Sequence, residues 1–129
     1  MNWIIARSAD CTIRIRREME KYSESGLYPF RIELFWDIQD PESKEEEDMV
    51  DKLQENLSAV MEENDTALMV AIFKNDKNYV FTWYTKDMET FGKLSNQTLR
   101  FFPKLPIRIY STDDANWEEY KKMVLQLGE

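Results

Sequence analysis

Between residues 30 and 38 the side chains alternate as they do along a β-strand. Ile32, Leu34, Trp36 and Ile38 share one side of an extended chain, while Arg31, Glu33, Phe35 and Asp37 share the other. Asp40 and Pro41 end the run, because proline donates no amide hydrogen and biases its predecessor away from helix. The period then changes. Met49, Val50, Leu53, Leu57, Val60 and Met61 recur at helical spacing, and Ser43 followed by Glu46 predicts a capping box at the helix start. Residues 66–73 and 79–85 are β-rich, and the polar run 74–78 between them predicts a hairpin with a five-residue connection.

Thr85 or Asp87 caps a second helix whose apolar members are Met88, Phe91, Leu94 and Leu99, with Gly92 as a weak point inside it. Pro103 and Pro106 bracket its exit before a short strand over 107–110. A last helix, capped by Asp113 or Asp114, carries Trp117, Tyr120, Val124 and Leu127 on one stripe. The first 29 residues are less regular. Residues 3–6 read as a short strand and 12–16 as a second, with Ile13 and Ile15 inward and Arg14 and Arg16 toward water. Gly26 and Pro29 mark the turn that follows.

From residue 30 the order is strand, helix, strand, strand, helix, strand. That order predicts an α+β fold, a ferredoxin-like split βαβ sandwich with two helices on one face of an antiparallel sheet. It carries an N-terminal strand extension and an extra C-terminal helix; the alternative is a sheet widened to five or six strands by the N-terminal segments. With no repeat or linker, residues 1–129 are expected to form one domain. The hairpin strands are apolar on both sides: Leu68, Val70 and Ile72 are opposed by Ala67, Met69, Ala71 and Phe73. A sheet of this kind is expected to be covered on both faces, by its own terminal elements or by a second subunit. A homodimer is the expectation.

Composition narrows the chemistry. Hydrophobic residues make up 43% and charged residues 33%, the balance of a globular chain and not of a membrane-embedded or disordered one. The start lacks the basic and apolar regions of a secretory signal, so a cytoplasmic location is expected. Histidine is absent, which removes the usual general base near neutral pH, and Cys11 is the only cysteine. No catalytic, cofactor-binding or metal-ligating set is expected. The net charge of -8 disfavours nucleic acid as a partner, although Arg14, Arg16, Arg17, Lys21 and Arg31 form a candidate basic patch. Residues 41–65 hold ten acidic side chains against two lysines, which suits the start of a helix and lacks the spaced ligands and glycine of a calcium loop.

Four segments carry a resemblance to a known family: Tyr28 to Glu33, Pro41 to Glu46, Val80 to Asp87, and Asp113 to Tyr120. Together they resemble the DUF695 family, a bacterial family of unknown function, over most of the chain from residue 28. Members tend to have Tyr-Pro-Tyr where this chain has Tyr28-Pro29-Phe30, and Tyr-Thr-Arg-Asp where it has Lys86 before Asp87. They also tend to have a proline before the tryptophan, where Asn116 stands here. The resemblance implies no catalytic residue. Members found beside domains resembling a protein regulator of ribonuclease E imply a protein-binding or regulatory role.

The first expectation for function is therefore a non-catalytic protein-interaction or regulatory module, acting through a protein partner or self-association. The candidate surface is aromatic: Phe35, Tyr79, Phe81 and Trp83. The alternatives are a weak RNA-binding module stacking bases on those rings, and a small enzyme using a carboxylate pair, Glu33 with Asp37 or Asp113 with Asp114, on an undetermined substrate.

Overall fold

The computed structural model describes residues 3–7 and 11–127. It is a mixed α+β fold built on a six-stranded, wholly antiparallel sheet. The strands are β1 (Trp3–Arg7), β2 (Cys11–Arg16), β3 (Phe30–Asp37), β4 (Ala67–Asn75), β5 (Asn78–Thr85) and β6 (Ile107–Asp113). The helices are α1 (Lys44–Glu63), α2 (Met88–Leu99) and α3 (Glu118–Leu127), with a 3-10 segment at Arg17–Tyr22. Across the sheet the order is β1-β2-β4-β5-β3-β6, so the N-terminal hairpin widens the sheet beside β4 and leaves β6 as the far edge. No helix is long and apolar enough to cross a membrane.

Two cores follow from the two sides of the strands. On the first face Ile32, Leu34 and Trp36 of β3 meet Phe81 and Trp83 of β5 beneath Val50, Leu53, Leu57 and Met61 of α1 and Phe91 of α2. On the second face Ile15, Val70, Ala71 and Tyr84 are covered by Met19, Trp117 and Tyr120, from the 3-10 segment and the start of α3. The side chain of Leu127, placed on the α3 stripe from sequence, lies outside the described residues.

Three local expectations are corrected. The 74–78 connection is a two-residue turn, because Asn75 and Asn78 stay in their strands and Asn75 Oδ1 accepts the amides of Lys77 (2.8 Å) and Asn78 (2.7 Å). A β-bulge between Met69 and Ala71 breaks the alternation of β4. Val70 and Ala71 both enter the second core, and Ile72 moves to the first. Arg16 does not face water. It is buried, and its guanidinium donates to Met69 O beside the bulge and to Glu62, each at 3.1 Å.

The capping box is half made. Ser43 Oγ accepts the Glu46 amide at 3.1 Å, as expected. The Glu46 carboxylate turns instead to Trp36 Nε1 (2.9 Å) and to the amides of Gln39 and Asp40 (2.9 Å each), pinning the β3 exit to α1. Burial pushes the Glu46 pKa up, but these three donors outweigh it and hold the group below the usual carboxylate range.

Candidate functional site

The four aromatic residues expected to form one surface are divided between the two faces. Trp83 and Phe81 are buried beneath the helices, and Tyr79 lies half-buried at the margin of the same core. The rings that would stack bases are thus covered by α1 and α2. Phe35 points from the opposite face. It meets Tyr110 of β6 edge to face at 5.5 Å, and the Arg108 guanidinium lies 5.2 Å from the Phe35 ring and 5.9 Å from Tyr110.

The segments at 28–33, 80–87 and 113–120 come together at one end of the sheet. Trp117 Nε1 donates to Tyr28 O at 2.9 Å, and its ring stacks on Tyr84 at 4.1 Å. Tyr84 donates its hydroxyl to Asp114 at 2.7 Å, and Asp114 also accepts the amides of Glu118 (2.8 Å) and Glu119 (3.2 Å) at the start of α3. Trp117 has φ +56°, an uncommon conformation for a bulky side chain, held by the ring stack and by its amide bond to Asp114 O at 2.9 Å. Beside it Tyr28 donates to Asp65 at 3.2 Å, and Asp65 pairs with Lys86 at 2.7 Å. Burial first, and then Asp65, push the Tyr28 phenol up to about 12; burial and Asp114 push Tyr84 up as well. Neither phenol ionises near neutral pH. Every polar group named here is satisfied by a partner within the cluster, which therefore serves as a lock for α3.

Of the proposed carboxylate pairs, Glu33, Asp37 and Asp114 are likewise committed. Glu33 pairs with Arg31 at 2.9 Å, and Asp37 receives Arg108 in a fork of 2.9 and 3.1 Å. Asp114 caps α3, whereas Asp113 is an exposed residue of β6 whose backbone pairs with Phe30. Among the described residues no group of three or more Asp, Glu or Cys is placed to hold a metal ion.

What stands open is β6 and the half of the second face beside it. Six of its seven residues are exposed, including Ile109 on the first face and Tyr110 on the second, 43% and 50% exposed. Among the described residues β6 pairs only with β3, so its outer row of backbone groups has no ladder partner there. Between β6 and α2 runs a groove of about 180 Å³, lined by Ile32, Met88, Phe91, Ser95, Ile109 and Ser111. Ser95 Oγ is buried at its wall with no hydrogen-bond partner. The strand expected over 107–110 runs on to Asp113, and Ile109 and Tyr110, inside the expected strand, were not singled out as surface residues. The available signal was the run Ser111-Thr112, which continues the β-rich pattern.

A protein-family model described as a family of unknown function (DUF695) matches residues 9–125. No match is found among curated proteins.

Proposed function

The chain belongs to the DUF695 family, which brings no activity with it, and we propose from the geometry that the domain is a non-catalytic interaction module that pairs with a second copy of itself along β6. The observation that carries this reading is the bare edge strand. Ile109 and Tyr110 are exposed at its centre, and none of the devices that usually blunt an edge (a proline, a bulge or a mid-strand lysine) interrupts 107–113. Charge favours a second copy. The chain as a whole is strongly acidic, but at β6 Arg108 is paired with Asp37, and in an antiparallel seam centred on Tyr110 the Asp113 residues of the two strands would lie at opposite ends.

In an antiparallel seam about a two-fold axis, Tyr110 would face its own counterpart on the second face, and Ile109 of each copy would close the groove beside Ser95 and Met88 of the other. The strand order β4-β5-β3-β6 with α1 and α2 on one face supports a ferredoxin-like reading of the core, set in the cytoplasm as a regulatory or scaffolding part.

Light scattering coupled to size exclusion tests the pairing. The wild-type chain is expected to run as a dimer at about 50 µM, and the double variant Ile109→Lys/Tyr110→Lys as a folded monomer whose unfolding midpoint, unlike that of the wild type, does not depend on protein concentration. A monomeric wild type, or a variant that stays dimeric, overturns the reading.

A further inference from the structure

On the first face the helices do not reach across the whole sheet. Where the β1–β2 hairpin extends it, the flank of α1 stands over a cleft of about 240 Å³. Its floor is apolar, made by Val50, Ile72 and Phe81 with the ring of Tyr79 alongside. The sheet side of the rim carries Arg7, Arg14 and Lys74, and the helix side carries Asp51 and Gln54. Register explains the gathering. Arg14 is opposite Ile72 and Lys74 is opposite Tyr79 and Thr12, so the cations rise from the same face as the apolar floor.

Most ion pairs of this acidic chain lie elsewhere, on α1, α2, α3 and the second face. Among the described residues none of Arg7, Arg14 or Lys74 has a carboxylate within ion-pair distance; Arg14 lies over the Trp3 ring at 5.6 Å and Lys74 over Tyr79 at 5.2 Å. Three cations on one side of the rim, faced across the cleft by Asp51, give an incoming anion a locally positive field in an otherwise acidic chain.

We propose that this cleft binds a small anionic metabolite with a flat or apolar body. Its phosphate or carboxylate head sits among Arg7, Arg14 and Lys74, its body rests on Ile72, Phe81 and Tyr79, and a donor at its far end meets Asp51 or Gln54. The cations supply charge-assisted hydrogen bonds to the head, and the buried floor rewards a ring over a bare ion. This site is separate from the β6 edge, and its failure would leave the pairing reading untouched.

Chemical-shift titration of the intact domain tests it, using AMP, benzoate and adenosine as probes. AMP or benzoate is expected to give saturable shifts at the amides of Thr12, Arg14, Lys74 and Tyr79, and whichever of the two binds identifies the head group. Adenosine, which lacks the anion, is expected to bind at least about tenfold more weakly than AMP. Arg14→Glu and Lys74→Glu, both at exposed positions, should each lower affinity by about tenfold or more with unchanged unfolding midpoints. Absence of saturation by AMP and benzoate up to about 10 mM, shifts centred elsewhere, or charge-reversed variants that bind as well as wild type would each overturn the proposal.

Discussion

The second face of the sheet has two halves with opposite fates. Over β2, β4 and β5 the rings of Trp117 and Tyr84 stack at 4.1 Å, and both are fully buried beneath the start of α3. Over β3 and β6 the rings of Phe35 and Tyr110 also touch, at 5.5 Å, yet water reaches them and a guanidinium lies beside both. Each pair sets a strand aromatic against a second ring, Trp117 from the loop before α3 in one half and Tyr110 of β6 in the other. What separates them is a cover: α3 is anchored through Asp114 and Tyr28 to one half and passes by the other. Aromatic content alone therefore does not distinguish a core from a surface in this fold.

The sharpest test of that contrast is a paired truncation. Trp117→Ala removes a buried ring and its stack, and equilibrium unfolding in urea is expected to show a loss of about 3–5 kcal/mol. Tyr110→Ala on the open half, compared with the wild type at a dilution where both are monomeric, is expected to change stability by less than about 0.5 kcal/mol. Equal losses would erase the distinction between the halves.

A smaller effect isolates the polar anchor of the cover. Tyr84→Phe keeps the stack and deletes the hydroxyl donated to Asp114, so a loss of about 1.5 kcal/mol is expected by the same measurement. No loss would mean that ring stacking alone holds α3.

Glu46, on the first face, supplies a contrast that depends on pH. Its folded pKa is depressed, so its stabilisation is present above the ordinary glutamate pKa and is lost as pH falls through the folded value. Glu46→Gln is expected to cost about 1 kcal/mol at pH 7, kept small by partial exposure. The gap between variant and wild type should close as the solution is acidified below the ordinary glutamate range. A gap independent of pH would assign the role to shape and not to charge.

The smallest change tests the bare groove beside β6. A Cβ built on Gly92 meets nothing within 4 Å, so Gly92→Ala is expected to raise stability by about 0.5–1 kcal/mol through helix propensity alone. A decrease would show that the groove wall is tighter than it stands here.

From residue 30 onward the elements were legible because each keeps one period over many residues: two for β3, near 3.6 for α1. The misreadings all turn on pairing between distant strands. The bulge at Val70 has no local signature, yet it reassigns Ile72 to the other core and sets Met69 O where Arg16 reaches it. Asn75 and Asn78 look like loop residues until register places them in a ladder. The aromatic surface was misgrouped for a related reason. Alternation separates Phe35 from its strand neighbours, but only strand order shows that Tyr79, Phe81 and Trp83 face the helices while Phe35 meets Tyr110.

The lock at Trp117 also bears on how the chain reaches this state. The bond from Trp117 Nε1 to Tyr28 O spans 89 residues, and that from the Tyr120 hydroxyl to Arg16 O spans 104. Every strand of the sheet leaves the ribosome before α3 does. Until then Ile15, Val70 and Tyr84 lack the Trp117 and Tyr120 part of their cover, and closing so long a loop is slow. A nascent chain paused before residue 117 would carry an assembled first core with an open second face, a form that invites chaperone capture or aggregation.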